Sequence, residues 1–341
     1  MNVKPRICAV AMFKPIYDIQ LQSLMNVFTQ KNINVIKTTS YQNRITKFLD
    51  VLFFLPYNRN NYNVIHVQAH SYYSIIYLIV TLFWAKVLNK LIIVMYYGGA
   101  AREFFSNYPR MITFLFKNVN RTIVASEYVR FAFKELDLNT ILIPHILEVS
   151  NWVFRNRIKP GHNLLWVRNL SNEYNPLMLL DVFKLIKSRD SRYSLKIVGT
   201  GNLKDIMKMY IKENSLSDVE MVGRVSDSEL RLLFNWSDIF INTTNVDNQP
   251  VSVLEAMACG VPVVSTNPGG IPEIITHKEN GLLSNPGDVS AMVQNINLFI
   301  NDPQLVEKLS IQGRSFVEKK FNSNVIYEQW KNVYANLGFV I

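Results

Sequence analysis

Between Asp247 and Ile275 the chain reads DNQPVSVLEAMACGVPVVSTNPGGIPEII, and Pro250 decides what this run can become. Proline has no N–H and disfavours helical backbone at the residue before it, so a helix starts at or after Pro250 and Asp247 is on a loop. From Ser252 the run SVLEAMACG is made of strong helix formers, and Gly260 stands where a C′ residue ends a helix. The β-branched VPVVST that follows predicts a buried strand of the parallel kind. In this order the helix aims its free N–H groups and positive dipole end at whatever precedes Val251, a place where a phosphate fits. Asp247 and Glu255, with seven residues between them, are thus not a local helical pair. A plainer account of Glu255 exists. Ser252-x-x-Glu255 also spells a capping box, which would occupy the glutamate with its own helix end. Further on, PGGIPEII supplies a glycine turn that lets a ligand come close to backbone.

At 341 residues the chain is long for one domain and sufficient for two, each with its own core. With 49% apolar and 18% charged residues it is ordinary globular material. Cys8 and Cys259 both lie in apolar contexts and read as core filler in a reducing compartment, not as a disulfide framework. Charge is uneven. Residues 1–160 hold 19 Lys and Arg against 7 Asp and Glu, whereas the remainder holds 17 against 19. A basic first half suits an anionic lipid surface or a phosphate-bearing partner, or is a merely soluble face. Nucleic acid is not expected, since no binding motif or basic-aromatic repeat is present. The short apolar stretch ICAVAMF, broken by Lys14 and Pro15, does not make a secretory leader. Between His70 and Lys86 runs a charge-free segment of 15 residues, shorter than the roughly 20 that span a bilayer. It predicts a buried helix, followed by the strand LIIVMYY, with interfacial seating as the minority alternative.

The run from Asp247 to Ile275 resembles the signature of the family 4 retaining glycosyltransferases: an acidic residue, seven residues, a glutamate, an AMACGxPVV segment and a GGxxE segment. Here these stand as Asp247, Glu255, Ala256 to Val264 and Gly269 to Glu273. The resemblance implies an α/β chain of GT-B fold, with two Rossmann-like doubly wound domains facing across a cleft and a C-terminal helix returning to the first domain. Residues 1–150 would bind the acceptor, joined by the helix within 323–341, whose Tyr327, Trp330 and Tyr334 recur at helical spacing. Residues 151–162, rich in charge with Pro160 and Gly161, read as a linker, and 163–322 would hold the nucleotide sugar.

The same resemblance implies the site. Asp247 would accept hydrogen bonds from donor-sugar hydroxyls, and Glu255 would take the ribose hydroxyls. Asn248, Gln249, Val251 and Ser252 would face the donor from the helix start. Arg168 would bind the diphosphate, its guanidinium forking onto two oxygens. In this chain Asn169 and Tyr174-Asn175 stand where the family has Arg and Lys-Gly, so one cation is missing. Gly199 and Gly201 of GTGNLK, together with Arg224 and Val225, would edge the nucleotide. In the first half, His70 follows the strand NVIHVQ, at a position where the family commonly has a catalytic-side histidine; a satisfied half-buried side chain is the competing account. Tyr97-Gly98-Gly99 resembles an HGG-type loop with Tyr97 in the histidine's place, and Gly98, Gly99 and Arg102 would serve the acceptor. Arg102 alternatively makes a surface pair with Glu103. The first loop, FKPIYD, lacks the family's glycine pair, although Lys14 could supply charge there.

The expected activity is retaining transfer of a sugar from a nucleotide sugar to a saccharide or lipid-linked saccharide in surface-glycan synthesis. It would occur in the cytoplasm or at the inner face of the membrane. No Asp-x-Asp is present, so no obligatory metal or other cofactor is expected. Two other classes stay open. One is a catalytically silent GT-B subunit that binds a sugar nucleotide or a partner. The other is a nicotinamide-dependent oxidoreductase using Gly199 to Gly201, a weak match that lacks the third glycine and the acidic residue at the required distance.

Overall fold

The structure is a computed structural model that describes residues 3–10, 19–38, 43–72, 75–159 and 161–341. The loop expected at Phe13 to Tyr17, with Lys14, lies outside the described residues, as does Tyr73. The chain divides into two compact units, Met1–Leu147 with Phe321–Ile341, and Glu148–Lys320.

The first unit is built on a six-stranded sheet: β1 (Arg6–Val10), β2 (Asn34–Lys37), β3 (Val64–Ala69), β4 (Leu91–Tyr96), β5 (Arg121–Val124) and β6 (Ile141–Leu142). All pairings are parallel, in the order β2-β1-β3-β4-β5-β6. Strand side chains alternate between faces, and both faces are buried here. In β3 and β4, Ile65, Val67, Ile92, Val94 and Tyr96 enter one core, while Val64, Ile93 and Met95 enter the other. The first core is covered by α2 (Arg44–Tyr57), α3 (Ile75–Val87), α4 (Ala101–Asn107), α5 (Pro109–Lys117) and α6 (Glu127–Lys134). The second is covered by α1 (Ile19–Gln30) and by the C-terminal helix.

That last helix, α13 (Ser323–Ala335), buries Ile326, Tyr327, Trp330, Val333 and Tyr334. Trp330 and Tyr334 pack edge-on to Phe28 of α1, and the Tyr334 hydroxyl meets His66 Nε2 at 2.5 Å. Burying such rings contributes about 2–3 kcal/mol each, so the return of this helix to the first sheet is a large stabilising element. The helix expected from the aromatic spacing is therefore present and docks where expected.

The second unit has β7 (Asn163–Val167), β8 (Ser194–Val198), β9 (Val219–Gly223), β10 (Ile239–Asn242), β11 (Val263–Thr266) and β12 (Leu282–Ser284), again all parallel. Their order is β12-β11-β10-β7-β8-β9, so the direction of winding reverses between β7 and β10. Open α/β sheets bind ligands outside the carboxyl ends of the strands at such a reversal. The crossover helices are α7 (Pro176–Arg189), α8 (Lys204–Glu213), α9 (Asp227–Trp236), α10 (Val251–Ala258) and α11 (Val289–Asn301), followed by α12 (Pro303–Lys320). Cys8 and Cys259 are free and buried.

The stretch read as a linker, 151–162, is tied into the second unit. Trp152 and Arg157 are buried, and Arg157 donates to the carbonyls of Phe234 (2.9 Å), Ser237 (3.0 Å) and Cys259. Its charges and its proline resemble a solvated tether, but the arginines are spent on carbonyls at helix ends.

Candidate donor site of the second unit

Arg168 directly follows β7 and Asn242 closes β10, and these neighbouring strands flank the winding reversal. Their loops bring together two residues 79 positions apart in sequence. Arg168 Nη2 and an Asp247 carboxylate oxygen lie 2.9 Å apart, both largely buried. Asn242, fully buried, holds the guanidinium from behind: its Oδ1 accepts from Arg168 Nε at 3.2 Å, and its Nδ2 donates to Ser265 Oγ at 2.9 Å. The Tyr174 ring lies 5.2 Å from the guanidinium carbon, so an aromatic face stands beside Arg168 where the family pattern has a second cation. Next to it Asn175 has φ 45° and ψ 58°, a left-handed conformation that glycine adopts freely and that asparagine tolerates; its side chain caps α7 by accepting from Met178 N.

Asp247 sits on a fastened loop. Its other carboxylate oxygen accepts from Asn248 N at 2.8 Å, Asn245 N donates to Glu173 O at 2.7 Å, and Gly270 N donates to Asp247 O at 3.2 Å. The Pro268–Gly270 turn, with Gly269 at φ 59°, therefore secures this loop, besides any approach it allows to a ligand. Burial pushes the Asp247 carboxyl up, opposed by Arg168 and the Asn248 amide.

The helix start differs from the capping-box account. α10 begins at Val251 with Pro250 as its N-cap and no side-chain cap. Ser252 is then the second helical residue, not the cap, and Glu255 is too far along to reach back. Ser252 Oγ is buried without a hydrogen-bond partner. The amides of Val251 and Ser252, at the positive end of the helix, are thus left without a protein side chain to satisfy them. Asn248 and Gln249 are buried just ahead of them. Glu255, one turn in, is pushed up to about 7, chiefly by burial and then by Asp227, with Arg168 and Arg231 opposing. Glu255 is half-buried, and a raised carboxyl beside an open helix start marks a candidate functional position.

Gly199 and Gly201 follow β8, and their role is partly different from the one expected. A Cβ on Gly199, where φ is 137°, would meet Arg168 O at 1.8 Å, and one on Gly201 would meet Leu170 O at 2.2 Å. The glycines let the 168–170 backbone, which carries Arg168, pack down; Leu170 N donates to Thr200 O at 3.0 Å. A glycine pair after β8, filled by the chain's own backbone and not placed at the strand of the winding reversal, does not make the dinucleotide site of an oxidoreductase. Gly223, at φ 82°, turns the chain into exposed Arg224 and half-buried Val225, and Ser226 and Glu229 then form a true capping box on α9.

The expected residues of the first unit form a separate group. His70 follows β3 with its Nε2 2.9 Å from Gln68 Nε2, and burial pushes its pKa down to about 4. Ser71 Oγ and Tyr96 Oη are 2.8 Å apart, and a Cβ on Gly98 would strike both at 2.9 Å, which accounts for the glycine there. Tyr97 is buried edge-on to His145 with its hydroxyl pKa raised by burial. Gly99 leads into α4. Arg102 is exposed and pairs with Glu135 at 3.0 Å, its guanidinium 5.5 Å from the Phe131 ring. A surface pair forms as one account held, but with Glu135; Glu103 instead accepts from the Tyr72 hydroxyl at 3.3 Å.

Asn242, Asp227, Arg231 and Arg157 were not singled out from sequence. Asn242 alone had a legible signal, a polar residue closing the apolar strand IFIN. Among the described residues no three His, Cys, Asp or Glu side chains form a group that could hold a metal ion, and no helix is long and apolar enough to cross a membrane.

Comparison with known proteins agrees with this fold. Structures of Anabaena HepE in complex with UDP and glucose (17% identity, TM-score 0.79, 97% of this chain and 100% of that one) share the fold. So does a sucrose-phosphate synthase of Thermosynechococcus elongatus (16%, TM-score 0.82, 98% and 99%). The two sheets thus have the GT-B architecture. Among curated proteins, the amylovoran biosynthesis glycosyltransferase AmsK of Erwinia amylovora is 28% identical over 198 residues, 56% of this chain and 49% of that protein. An uncharacterized glycosyltransferase of Haemophilus influenzae is 30% identical over 157 residues, 46% and 44%. The chain spans about half the length of the curated relatives it matches. Residues 150–316, which contain the Arg168–Asp247 pair, the open helix start and Glu255, match the family described as Glycosyl transferases group 1.

Proposed function

We propose that the protein is a retaining glycosyltransferase of family 4 that moves a sugar from a nucleotide sugar to a saccharide or lipid-linked saccharide acceptor in surface-polysaccharide synthesis. The observation that carries this reading is the uncapped start of α10, with Ser252 Oγ buried and unpartnered, beside the Arg168–Asp247 pair at the winding reversal. As the bond between anomeric carbon and phosphate breaks, negative charge gathers on the nucleoside diphosphate, and amides and a guanidinium already in place stabilise it without reorganisation. Arg168 exchanges Asp247 for the diphosphate when the donor enters, which frees Asp247 to accept from sugar hydroxyls. Glu255 accepts from the ribose. The amylovoran glycosyltransferase among the relatives supports the polysaccharide setting. We place the reaction on the cytoplasmic side of the membrane and without an obligatory divalent ion.

The test is a thermal-stabilisation screen over UDP-, GDP- and ADP-sugars followed by transfer assays in the presence of EDTA. One class of nucleotide sugar should raise the melting temperature, Glu255→Ala should abolish that rise, and product should form with EDTA present. No stabilisation by any nucleotide sugar would sink the reading. The pairing of Arg168 with Asp247, together with Tyr174 in place of a second cation, favours one alternative, a subunit that binds donor and does not turn it over. Stabilisation without hydrolysis or transfer would establish it.

A further inference from the structure

From Val51 to Arg102 the chain holds no aspartate or glutamate, and this acid-free run contains the second half of α2 and all of α3. The two helices pack against each other on one side of the first sheet, both sending their inner faces into the same core. Their outer faces therefore point away from the sheet on that same side. On α2 the outer face carries Ile45, Leu49, Phe53 and Tyr57, each one turn beyond the last and between 43% and 88% exposed. On α3 it carries Ile76, Ile79, Phe83 and Val87, between 45% and 57% exposed. α3 is apolar nearly all round, with Lys86 as its only charge, a pattern met in helices that are buried or set in a membrane interface. A shallow groove of about 480 Å³ runs along α2 beside Leu49, Phe53 and Tyr57.

Two helices of this length, packed side by side, present an outer face of roughly 20 Å by 20 Å, the size of the largest apolar patch a monomer ordinarily leaves uncovered, which is often functional. Apart from Asp50, which lines the groove, the described charges at this face have one sign. Arg59 just beyond the end of α2 and Lys86 in the last turn of α3 are exposed, and both helices run in the same sense relative to the sheet, so both cations stand at one end of the face. The acid on α2, Asp50, is mostly buried and 3.1 Å from Lys47 Nζ.

We propose that this α2–α3 face seats on an anionic lipid bilayer, the aromatic and aliphatic side chains entering the boundary between headgroups and acyl chains while Arg59 and Lys86 meet headgroup phosphates. α3, at 13 residues, is too short to cross and lies in the plane of the interface. The proposal extends the reading of the acceptor as lipid-linked, but vesicle binding needs no donor and no transfer, so either can fail alone.

The test is co-sedimentation of the 341-residue chain with phosphatidylglycerol–phosphatidylcholine vesicles and with phosphatidylcholine vesicles. Binding to the anionic vesicles is expected, weaker at high salt. The double variant Phe53→Ser/Phe83→Ser should weaken it at least about tenfold, with the far-UV circular dichroism and melting temperature unchanged because both side chains are exposed. Arg59→Glu/Lys86→Glu should weaken binding to the anionic vesicles by about tenfold or more. Leu232→Ser, an exposed apolar residue of the second unit, should change nothing. Absence of vesicle binding, or binding equal in Phe53→Ser/Phe83→Ser, overturns the proposal. So does self-association in light scattering that this double variant abolishes, which would assign the face to a second copy of the chain.

Discussion

Glu255 has been given two jobs that pull its protonation in opposite directions. Accepting from ribose hydroxyls favours the carboxylate, whereas burial holds its pKa up at about 7 against an ordinary 4.5. In the unfolded chain it ionises near 4.5, so between 4.5 and 7 the folded state keeps a proton that the unfolded state has lost. Its contribution to stability is full below about 4.5 and is lost as pH rises through 7. Glu255→Gln should therefore stabilise the empty protein by about 1–3 kcal/mol at pH 8 and by nothing near pH 4, measured by urea unfolding at the two pH values. The same variant should lose stabilisation by nucleotide sugar at pH 8. A gain independent of pH would mean the carboxyl is not the group at fault. The two carboxylates were legible from Pro250 and their spacing, because both are local facts. The Arg168–Asp247 pair was not, since it depends on β7 lying beside β10, and strand order is not written in any one segment. The competing capping-box account fails for a local reason: backbone at Pro250 starts the helix at Val251, which puts Ser252 two places past the cap.

Among elements, α10 has its two ends treated oppositely. Its N-terminus is left uncapped, while its C-terminus is satisfied several times over. Arg314 donates to Ala258 O at 2.7 Å, Arg157 to Cys259 O, and Ser310 Oγ to Gly260 O at 2.7 Å, with Gly260 at φ 71° completing the stop. Guanidinium groups at the negative end of a helix stabilise it and fix its direction, and so fix where the open amides point. Arg157 also serves the end of α9, and burial pushes its pKa down to about 10. Arg157→Met should take one of two donors from each of three carbonyls, which keep Ser237 Oγ, Arg155 Nη2 and Arg155 N, and cost roughly 1–3 kcal/mol, a fall in melting temperature of roughly 2–10 °C. Arg157→Lys should recover only part, because an ammonium cannot fork across Phe234 O, Ser237 O and Cys259 O. Equal stability of Met, Lys and native proteins in calorimetry would show that the strap is merely adjacent to the helix. Sequence reading took this strap for a linker because charge, proline and glycine look the same whether they face water or the end of a helix.

At the scale of the molecule, the two units carry buried ionisable groups of opposite sense. In the first, His66 is fully buried with Nδ1 unpartnered, and burial pushes its pKa down to about 3; His70 is pushed down to about 4. An unfolded imidazole takes up a proton near 6.5, so these residues contribute stability that is complete above about 6.5 and lost as pH falls toward 4 and 3. In the second unit Glu255 does the reverse over an overlapping range. Lowering pH from 7.5 to 5 should accordingly weaken the sheet that α13 completes and relieve the one that carries α10. Scanning calorimetry should resolve this as a lower-temperature transition that moves down on acidification and a higher one that holds or rises. His66→Gln, which keeps a side chain able to pair with the Tyr334 hydroxyl, should flatten the first slope, and Glu255→Gln the second. Nucleotide sugar should raise only the second transition, because the Arg168–Asp247 pair, the open helix start and Glu255 all belong to residues 148–320. A single transition whose midpoint both variants shift in the same direction at pH 5 would mean that the two sheets unfold as one cooperative body.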